Sequence, residues 1–349
     1  MKNPPITFEQ ALTSIASRAQ HHDLSNDWPT ADLEALQSAG AMRWAIPKEF
    51  GGDEVSPFEL HLRYEQLATA SVATALILTQ RDAAVGLIEA SPNLDDRPSI
   101  LNRLANNEAW ATVGIAQLTT SRQGGSPAVT AQRVDGGYLL NGTIPWCTGS
   151  AHSAFIVAGA TLDDAQQILC ILHHGQAGMH IDEPMQMVAL TSTKTGSIQL
   201  NQVMVNDSWI LRGPSPGVLG GRRNSLTLGQ NFIATGLTRT ALNLIADHKS
   251  DRAKQAHDRF EKQLNAVRAE VADLCQPSLE AAATAANARL RGTCNDLALR
   301  VTHTAVALYK GAALLRDHPA QRLAREAMFL LVWSCPNPVI DCTVDLLSS

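Results

Sequence analysis

The chain has 349 residues, 45% of them hydrophobic and 17% charged, with a formal net charge of −5. Such a length can bury two or three packed layers, and the lack of any Lys/Arg run excludes the electrostatic footprint of a nucleic-acid binder. The opening Met1-Lys2-Asn3-Pro4-Pro5 has no apolar signal stretch, and apolar runs such as Ala327–Trp333 are far too short for a bilayer, so a cytoplasmic protein with no membrane partner is expected.

The first third reads as helix. Phe8, Leu12 and Ile15 recur at helical spacing and form one apolar face. Pro29 suits a first helical turn, and Gly40 sits where a helix would stop. Ile46–Gly52 is a loop closed by two glycines. A long helical pattern is predicted from Pro57 to about Glu89, and a short helix before Trp110.

From Trp110 the runs become short and strand-like. A Gly-Gly-Ser-Pro turn at Gly124–Pro127 leads to Ala128–Val134, a tight Asp135-Gly136-Gly137 turn, and Tyr138-Leu139-Leu140-Asn141-Gly142. The segment closes on Ile144-Pro145-Trp146-Cys147-Thr148-Gly149. Phe155–Ala160 and Ile168–Leu172 are continuous apolar strands. Ile198 and Leu200 alternate with polar neighbours, as do Val203 and Val205; the phase slips between the pairs, which predicts a bulge or a sheet exit. Gly213, Pro214, Pro216 and Gly217 mark a boundary near residue 215.

Beyond it the pattern is helical again. Leu226, Ile233, Leu237 and Leu244 keep one face, and Leu264, Val267, Val271 and Leu274 another. Pro277 breaks the run, Leu279–Leu290 resumes it, Val301, Ala305 and Leu308 continue it, and His318-Pro319 opens a further helix. Amphipathic helices with short connections predict an antiparallel bundle.

The ordered segment Gly114–Gly149 resembles the small β-domain of the acyl-CoA dehydrogenase family, where it walls a flavin ring; the resemblance covers nearly the whole chain. Pro319–Ala327 also resembles the family's segment before its catalytic loop. The implied fold is α+β and multidomain: an N-terminal helical domain (1–109), a central small β-barrel or sheet domain (110–215) and a C-terminal antiparallel helical bundle (216–349). The implied cofactor is FAD, the implied partners are a small-molecule substrate and further copies of the chain in a homodimer or homotetramer.

The resemblance carries specific residues. Thr119, Trp146 and Thr148 stand where the family packs a Thr and a Trp-x-Thr element against the flavin ring, an apolar wall with a few fixed polar groups that orient the cofactor. Ser126 or Gly125 would serve the pyrophosphate, although Thr119-Thr120-Ser121 replaces the family's Thr-Glu-Pro. Arg252 and Gln263 keep the spacing of adenine-side contacts that the family supplies from a neighbouring subunit, with Gln255-Ala256 in place of Phe-Gly. Gly311 is what remains of a glycine-rich turn, now Lys310-Gly311-Ala312-Ala313, and Ala307 replaces the Gln before it.

Dehydrogenation of an acyl thioester needs a base for the α-proton, and a buried carboxylate suits that role. The family places its Glu in one of two positions. Here these hold Ser334, in Trp333-Ser334-Cys335-Pro336, and Gln230 beside Asn231. Pro336 and Pro338 replace two further flavin contacts. No residue is assigned as the base; Asp341 and His303 are the nearest titratable groups in sequence.

The remaining patterns have plain explanations. The six cysteines lack Cys-x-x-Cys spacing and read as buried reduced thiols. His173-His174 and His180 flank a glycine turn without a carboxylate at ligand spacing, so no metal is expected. His21-His22 reads as a polar helix end and Arg222-Arg223 as a solvated pair. The expected function is a flavin-dependent oxidoreductase with an altered or relocated base. The alternatives are a monooxygenase of the same fold, where the region around Leu78-Thr79-Gln80-Arg81 offers an Arg in place of a His, and a non-catalytic protein that has lost its flavin.

Overall fold

The computed structural model describes residues 5–118, 125–219, 224–275 and 283–348. Five helices come first: α1 (Phe8–Ser25), α2 (Thr30–Ser38), α3 (Pro57–Ala70), α4 (Val72–Glu89) and α5 (Arg97–Ala105). Helix α1 starts on a capping box, with Thr7 accepting from the Gln10 backbone and the Gln10 side chain accepting from the Thr7 backbone. The stretch predicted as one helix from Pro57 to Glu89 is two. Ser71 is extended (φ −157°, ψ 115°), and its hydroxyl caps α4 by accepting from the Thr74 backbone N–H. The break carries neither Gly nor Pro, and both helices are apolar across it, which hides it from the hydrophobic pattern.

Eight strands follow: β1 (Ala111–Gly114), β2 (Val129–Val134), β3 (Gly137–Cys147), β4 (Phe155–Thr161), β5 (Gln167–His173), β6 (Met179–Ile181), β7 (Gly196–Asn206) and β8 (Ile210–Ser215). They form one sheet in the order β6-β7-β3-β2-β4-β5-β8, with β1 pairing parallel to β4. The sheet is open, so of the two expected forms it is a sheet and not a closed barrel. The Asp135–Gly137 hairpin turn uses Gly136 at φ 75°, and a Cβ on Gly137 would lie 2.1 Å from the Val205 carbonyl oxygen. The phase slip in β7 is a bulge. Leu140 pairs with Val203 and Gly142 with Leu200, so β3 advances two residues while β7 advances three, with Gln202 at φ 52°.

The last part holds α6 (Asn224–Ala246), α7 (Asp251–Leu274), α8 (Ala283–Tyr309), α9 (Pro319–Phe329) and α10 (Asn337–Ser348). His318 caps α9, its Nδ1 accepting from the Ala320 backbone at 3.2 Å. The largest apolar core joins the first helices to the bundle, with Leu67, Ile233, Leu237, Leu264 and Val301 buried together. A second core lies where α4 and α5 meet the sheet, and a third fills the sheet's other face. No described helix is long and apolar enough to cross a membrane. All six cysteines are free, four of them buried, and burial pushes the Cys147, Cys170 and Cys294 thiols up to about 12.

His61 of α3 is buried against Phe232 of α6, ring centroids 5.1 Å apart, and its Nδ1 has no partner. Burial lowers its pKa to about 4. The unfolded chain therefore takes up this proton at higher pH than the folded one. The stabilising contribution of neutral His61 is complete above the ordinary value of about 6.5 and is lost as pH falls toward 4. Replacing His61 with Phe should remove up to ~3 kcal/mol of the acid-side fall in stability, read as a flatter urea-midpoint profile between those pH values.

Candidate functional site

The predicted ring contacts lie at the end of β3. Trp146 is exposed and its strand neighbour Cys147 buried, as the alternation of β3 requires, and half-buried Thr148 opens the turn that follows. Trp146 is 48% exposed and offers a large aromatic face, while Cys147 is 1% exposed. The turn beyond rests on the first helices. Trp28 stacks on His152 (centroids 4.2 Å apart, planes 9° from parallel) and meets Trp110 edge-on at 6.5 Å. Gly149 has φ 62°, and a Cβ there would lie 2.7 Å from the Trp28 ring, so this close approach needs glycine.

Thr148 is held at both polar groups. Its carbonyl accepts from the Thr112 hydroxyl at 2.7 Å, and its own hydroxyl lies 3.0 Å from that of Thr195. Thr195 in turn lies 2.8 Å from the Thr193 hydroxyl, which donates to the Leu190 carbonyl at 2.7 Å. The Gly149 N–H donates to the Thr193 carbonyl at 3.0 Å and closes the same corner. Arg325 of α9 donates to the Val188 carbonyl at 2.5 Å and pairs with Asp23 of α1, which ties this loop to both helical regions. Thr112, Thr193 and Thr195 escaped the sequence reading. The only signal was the hydroxyl-rich Thr191-Ser192-Thr193-Lys194-Thr195 run, and its meaning depends on a fold contact with β3.

Thr119 lies outside the described residues, as do Gly124 and Arg222-Arg223. Gln117 donates to the carbonyls of Gly114 (3.0 Å) and Gly159 (2.9 Å), while its Oε1 is buried with no partner among the described residues. Ser126 sits exposed ahead of β2. The Trp146 face and the Thr148 hydroxyl fit the ring of a flavin, an apolar plate with a polar edge. The nucleotide side fits less well. Arg252 and Gln263 are eleven positions apart on α7, about three turns, and so share a face. Gln263 accepts from Arg300 at 3.0 Å. Gly311 stands in a short 3₁₀ stretch, and nothing lies within 4 Å of where its Cβ would be. No hydrogen bond joins this second group to β3 among the described residues.

Ser334 is exposed at φ 47°. Its loop is pinned from behind by buried Arg291, which donates to the carbonyls of Trp333 and Ser334. Gln230 and Asn231 lie on α6; Asn231 is fully buried and donates to Asn287 at 3.1 Å, leaving its own carbonyl without a donor. Asp341 and His303 are both exposed on the bundle, with His303 Nδ1 only 2.7 Å from the Leu299 carbonyl of its own helix.

Five carboxylates are buried among the described residues, and each is bound to an arginine. The pairs are Asp32–Arg18, Glu65–Arg268, Asp82–Arg81, Asp296–Arg300 and Glu326–Arg322. A carboxylate bonded to a guanidinium has its oxygens engaged and is not presented to a substrate. Two pairs sit deep enough for burial to dominate. Burial pushes Asp82 and Glu326 up against the pull of Arg81 and Arg322. Glu65 and Arg268 stand at the wall of a cavity of about 220 Å³ between α3, α6 and α7, which none of the predicted ring contacts lines.

Other sequence readings resolve as follows. Arg81 is fully buried and donates to Asp82, to the Met42 carbonyl (2.7 Å) and to the Leu104 carbonyl (2.9 Å), so it braces the helices. His22 lies in the last turn of α1, as expected, but is buried there, 3.4 Å from Asp32. No group of three or more potential metal ligands occurs among the described residues.

The family model described as acyl-CoA dehydrogenase, N-terminal domain, matches residues 9–108. An acyl-CoA dehydrogenase of Bacillus subtilis (strain 168) is 22% identical over 352 residues, covering 94% of this chain and 92% of that protein. The dibenzothiophene monooxygenase of Rhodococcus qingshengii is 23% identical over 226 residues, and the match spans about half of that protein, 53% of its length. Among solved structures, butyryl-CoA dehydrogenase from Megasphaera elsdenii matches with a TM-score of 0.82 at 18% identity over 100% of both chains. FMN-bound TdsC from Paenibacillus sp. A11-2, a dibenzothiophene monooxygenase, matches with the same TM-score at 16% identity, covering 98% of this chain and 94% of that one.

Proposed function

We infer that this chain, which belongs to the acyl-CoA dehydrogenase family, is a flavin-dependent oxidoreductase acting on an acyl-CoA-like or other small organic substrate without the family's carboxylate base. The observation that carries the reading is the pairing of an open ring wall, Trp146 with Thr148, with buried carboxylates that are all committed to arginines. A bound flavin supplies two-electron redox chemistry. The chain would hold it with the Trp146 face and the Thr148 hydroxyl, braced by Trp28 and Gly149 behind them. Arg252 and Gln263 would reach the nucleotide half of FAD from a second copy of the chain, in a homodimer or homotetramer. A cytoplasmic location fits this reading.

A second reading within the fold is a monooxygenase that uses reduced flavin and dioxygen. The likeness to the dibenzothiophene monooxygenases favours it, as does the arginine pairing, because such chemistry needs no α-proton base. The nucleotide side, open around Gly311, would then suit FMN as well as FAD.

The test is a visible spectrum of the purified protein before and after incubation with FAD or FMN. A flavin band, with Trp146→Ala weakening flavin binding at least ~10-fold through the lost aromatic contact, is the expected result. A colourless protein that takes up neither flavin would sink the reading and leave a structural protein that kept the fold.

A further inference from the structure

The cavity of about 220 Å³ between α3, α6 and α7 has an apolar floor and a polar mouth. Phe232 of α6 and Val271 of α7 form the floor, and both are buried. Phe232 is fixed from two sides. His61 stacks on it, with centroids 5.1 Å apart and planes 21° from parallel, and Phe58 meets it edge-on at 6.3 Å. Phe58 is itself 38% exposed and lines the cavity, so the two rings make an aromatic corner that a third ring can enter from solvent. The room comes from Ala272, which puts only a methyl group at this point of the wall. An apolar cavity of about 150 Å³ holds one benzene ring, so this larger one can take two fused rings.

One charged pair stands in the wall. Arg268 holds buried Glu65 by two bonds, Nε to Oε1 at 2.9 Å and Nη2 to Oε2 at 3.2 Å. A guanidinium carries further N–H groups beyond these two, and those of Arg268 meet no acceptor among the described residues. Arg268 is exposed where Glu65 is not, so its remaining donors stand at the mouth. The pair is neutral as a whole. Glu65 cancels the charge that would draw an anion, and a ligand carboxylate at Arg268 would sit beside a second carboxylate. A carbonyl oxygen accepts from the same N–H groups without that repulsion. We propose that this cavity binds a small, uncharged aromatic carbonyl compound, its rings inward against Phe232 and its oxygen outward to Arg268. The site is separate from the Trp146 wall and does not depend on the flavin reading.

The experiment is equilibrium dialysis of the purified chain, with no flavin added, against 2-acetonaphthone, 2-ethylnaphthalene and 2-naphthoate. The ketone is expected to bind with a Kd of about 0.1–1 mM. It should bind about 10-fold more tightly than the ethyl compound, which has nearly the same shape and no acceptor, and than the carboxylate. Ala272→Phe fills the cavity and should weaken ketone binding at least ~10-fold, while flavin uptake, read from the visible spectrum, stays at the wild-type level. If that variant shows no cooperative thermal transition, the smaller Ala272→Leu takes its place. The proposal is overturned if the ketone does not bind, if either comparator binds as tightly or more tightly, or if a folded, filled variant binds the ketone as the wild type does. A wild-type chain that takes up no flavin yet binds the ketone would strike the flavin reading and leave this one standing.

Discussion

Anaerobic addition of a panel of acyl-CoA thioesters to the flavin-loaded protein should leave the visible flavin band unbleached on the timescale of seconds to minutes. A positioned general base contributes about 10²–10⁴ to such a proton transfer, and neither position that the family resemblance suggests for it, Ser334 or Gln230, holds a titratable side chain. Ser334 and Gln230 cannot accept the α-proton, and the buried carboxylates are bound by arginines. Rapid bleaching by any thioester would show that a base acts from a position outside this account. The reversal Ser334→Glu is expected to restore nothing. The residue is exposed, its backbone lies in the left-handed region where a larger side chain is disfavoured, and Arg291 pins the loop by its carbonyls. A gain of about 100-fold or more in anaerobic flavin reduction by that variant would mean that loss of one carboxyl was the whole difference.

Removing the Arg81 side chain should have the largest effect on stability. Arg81→Met is expected to lower unfolding free energy by about 3–5 kcal/mol, as found when one partner of a buried ion pair is deleted. The guanidinium satisfies three acceptors at once: Asp82, the Met42 carbonyl and the Leu104 carbonyl. Without it, Asp82 keeps only the Tyr64 hydroxyl at 2.7 Å in a site whose burial already raises its pKa. Arg81→Lys should rescue little, because a single ammonium cannot span three divergent acceptors. Urea midpoints with unchanged slopes would measure the loss. The exposed Arg133–Asp207 pair is the control, and Arg133→Met should leave the midpoint where it was. Equal midpoints for Arg81→Met and wild type would mean that the buried network contributes nothing.

The chain's parts differ in how plainly the sequence displays them. Local rules were enough for the Gly136-Gly137 turn, for the cap at His318, and for the β7 bulge, which the slipped alternation of Ile198/Leu200 against Val203/Val205 announces. The helix break at Ser71 was not visible, because a serine with an apolar run on both sides reads equally well as mid-helix. At the candidate site, Trp146 and Thr148 were expected from their order in the segment, and the structure sets them side by side at the end of β3. Their supports could not be expected in this way: Thr195 reaches Thr148 across 47 positions and Trp28 reaches His152 across more than a hundred. Pattern within a window carries no information on such contacts, since they depend on the register of β3 against β7 and on how the sheet docks on the first helices. The arginine partners of the buried acids were hidden for the same reason, Glu65 and Arg268 being 203 positions apart.

The stacking of Trp28 on His152, with Gly149 pressed against the same indole, has a consequence for how this architecture can be recombined. A graft of the strands alone into another host would carry the aromatic plate and its hydroxyl, yet leave behind the platform on which their turn sits. Modularity in this chain therefore stops short of the sheet's own borders, and any shuffling that preserves this corner has to move the α1–α2 connection that carries Trp28 along with it.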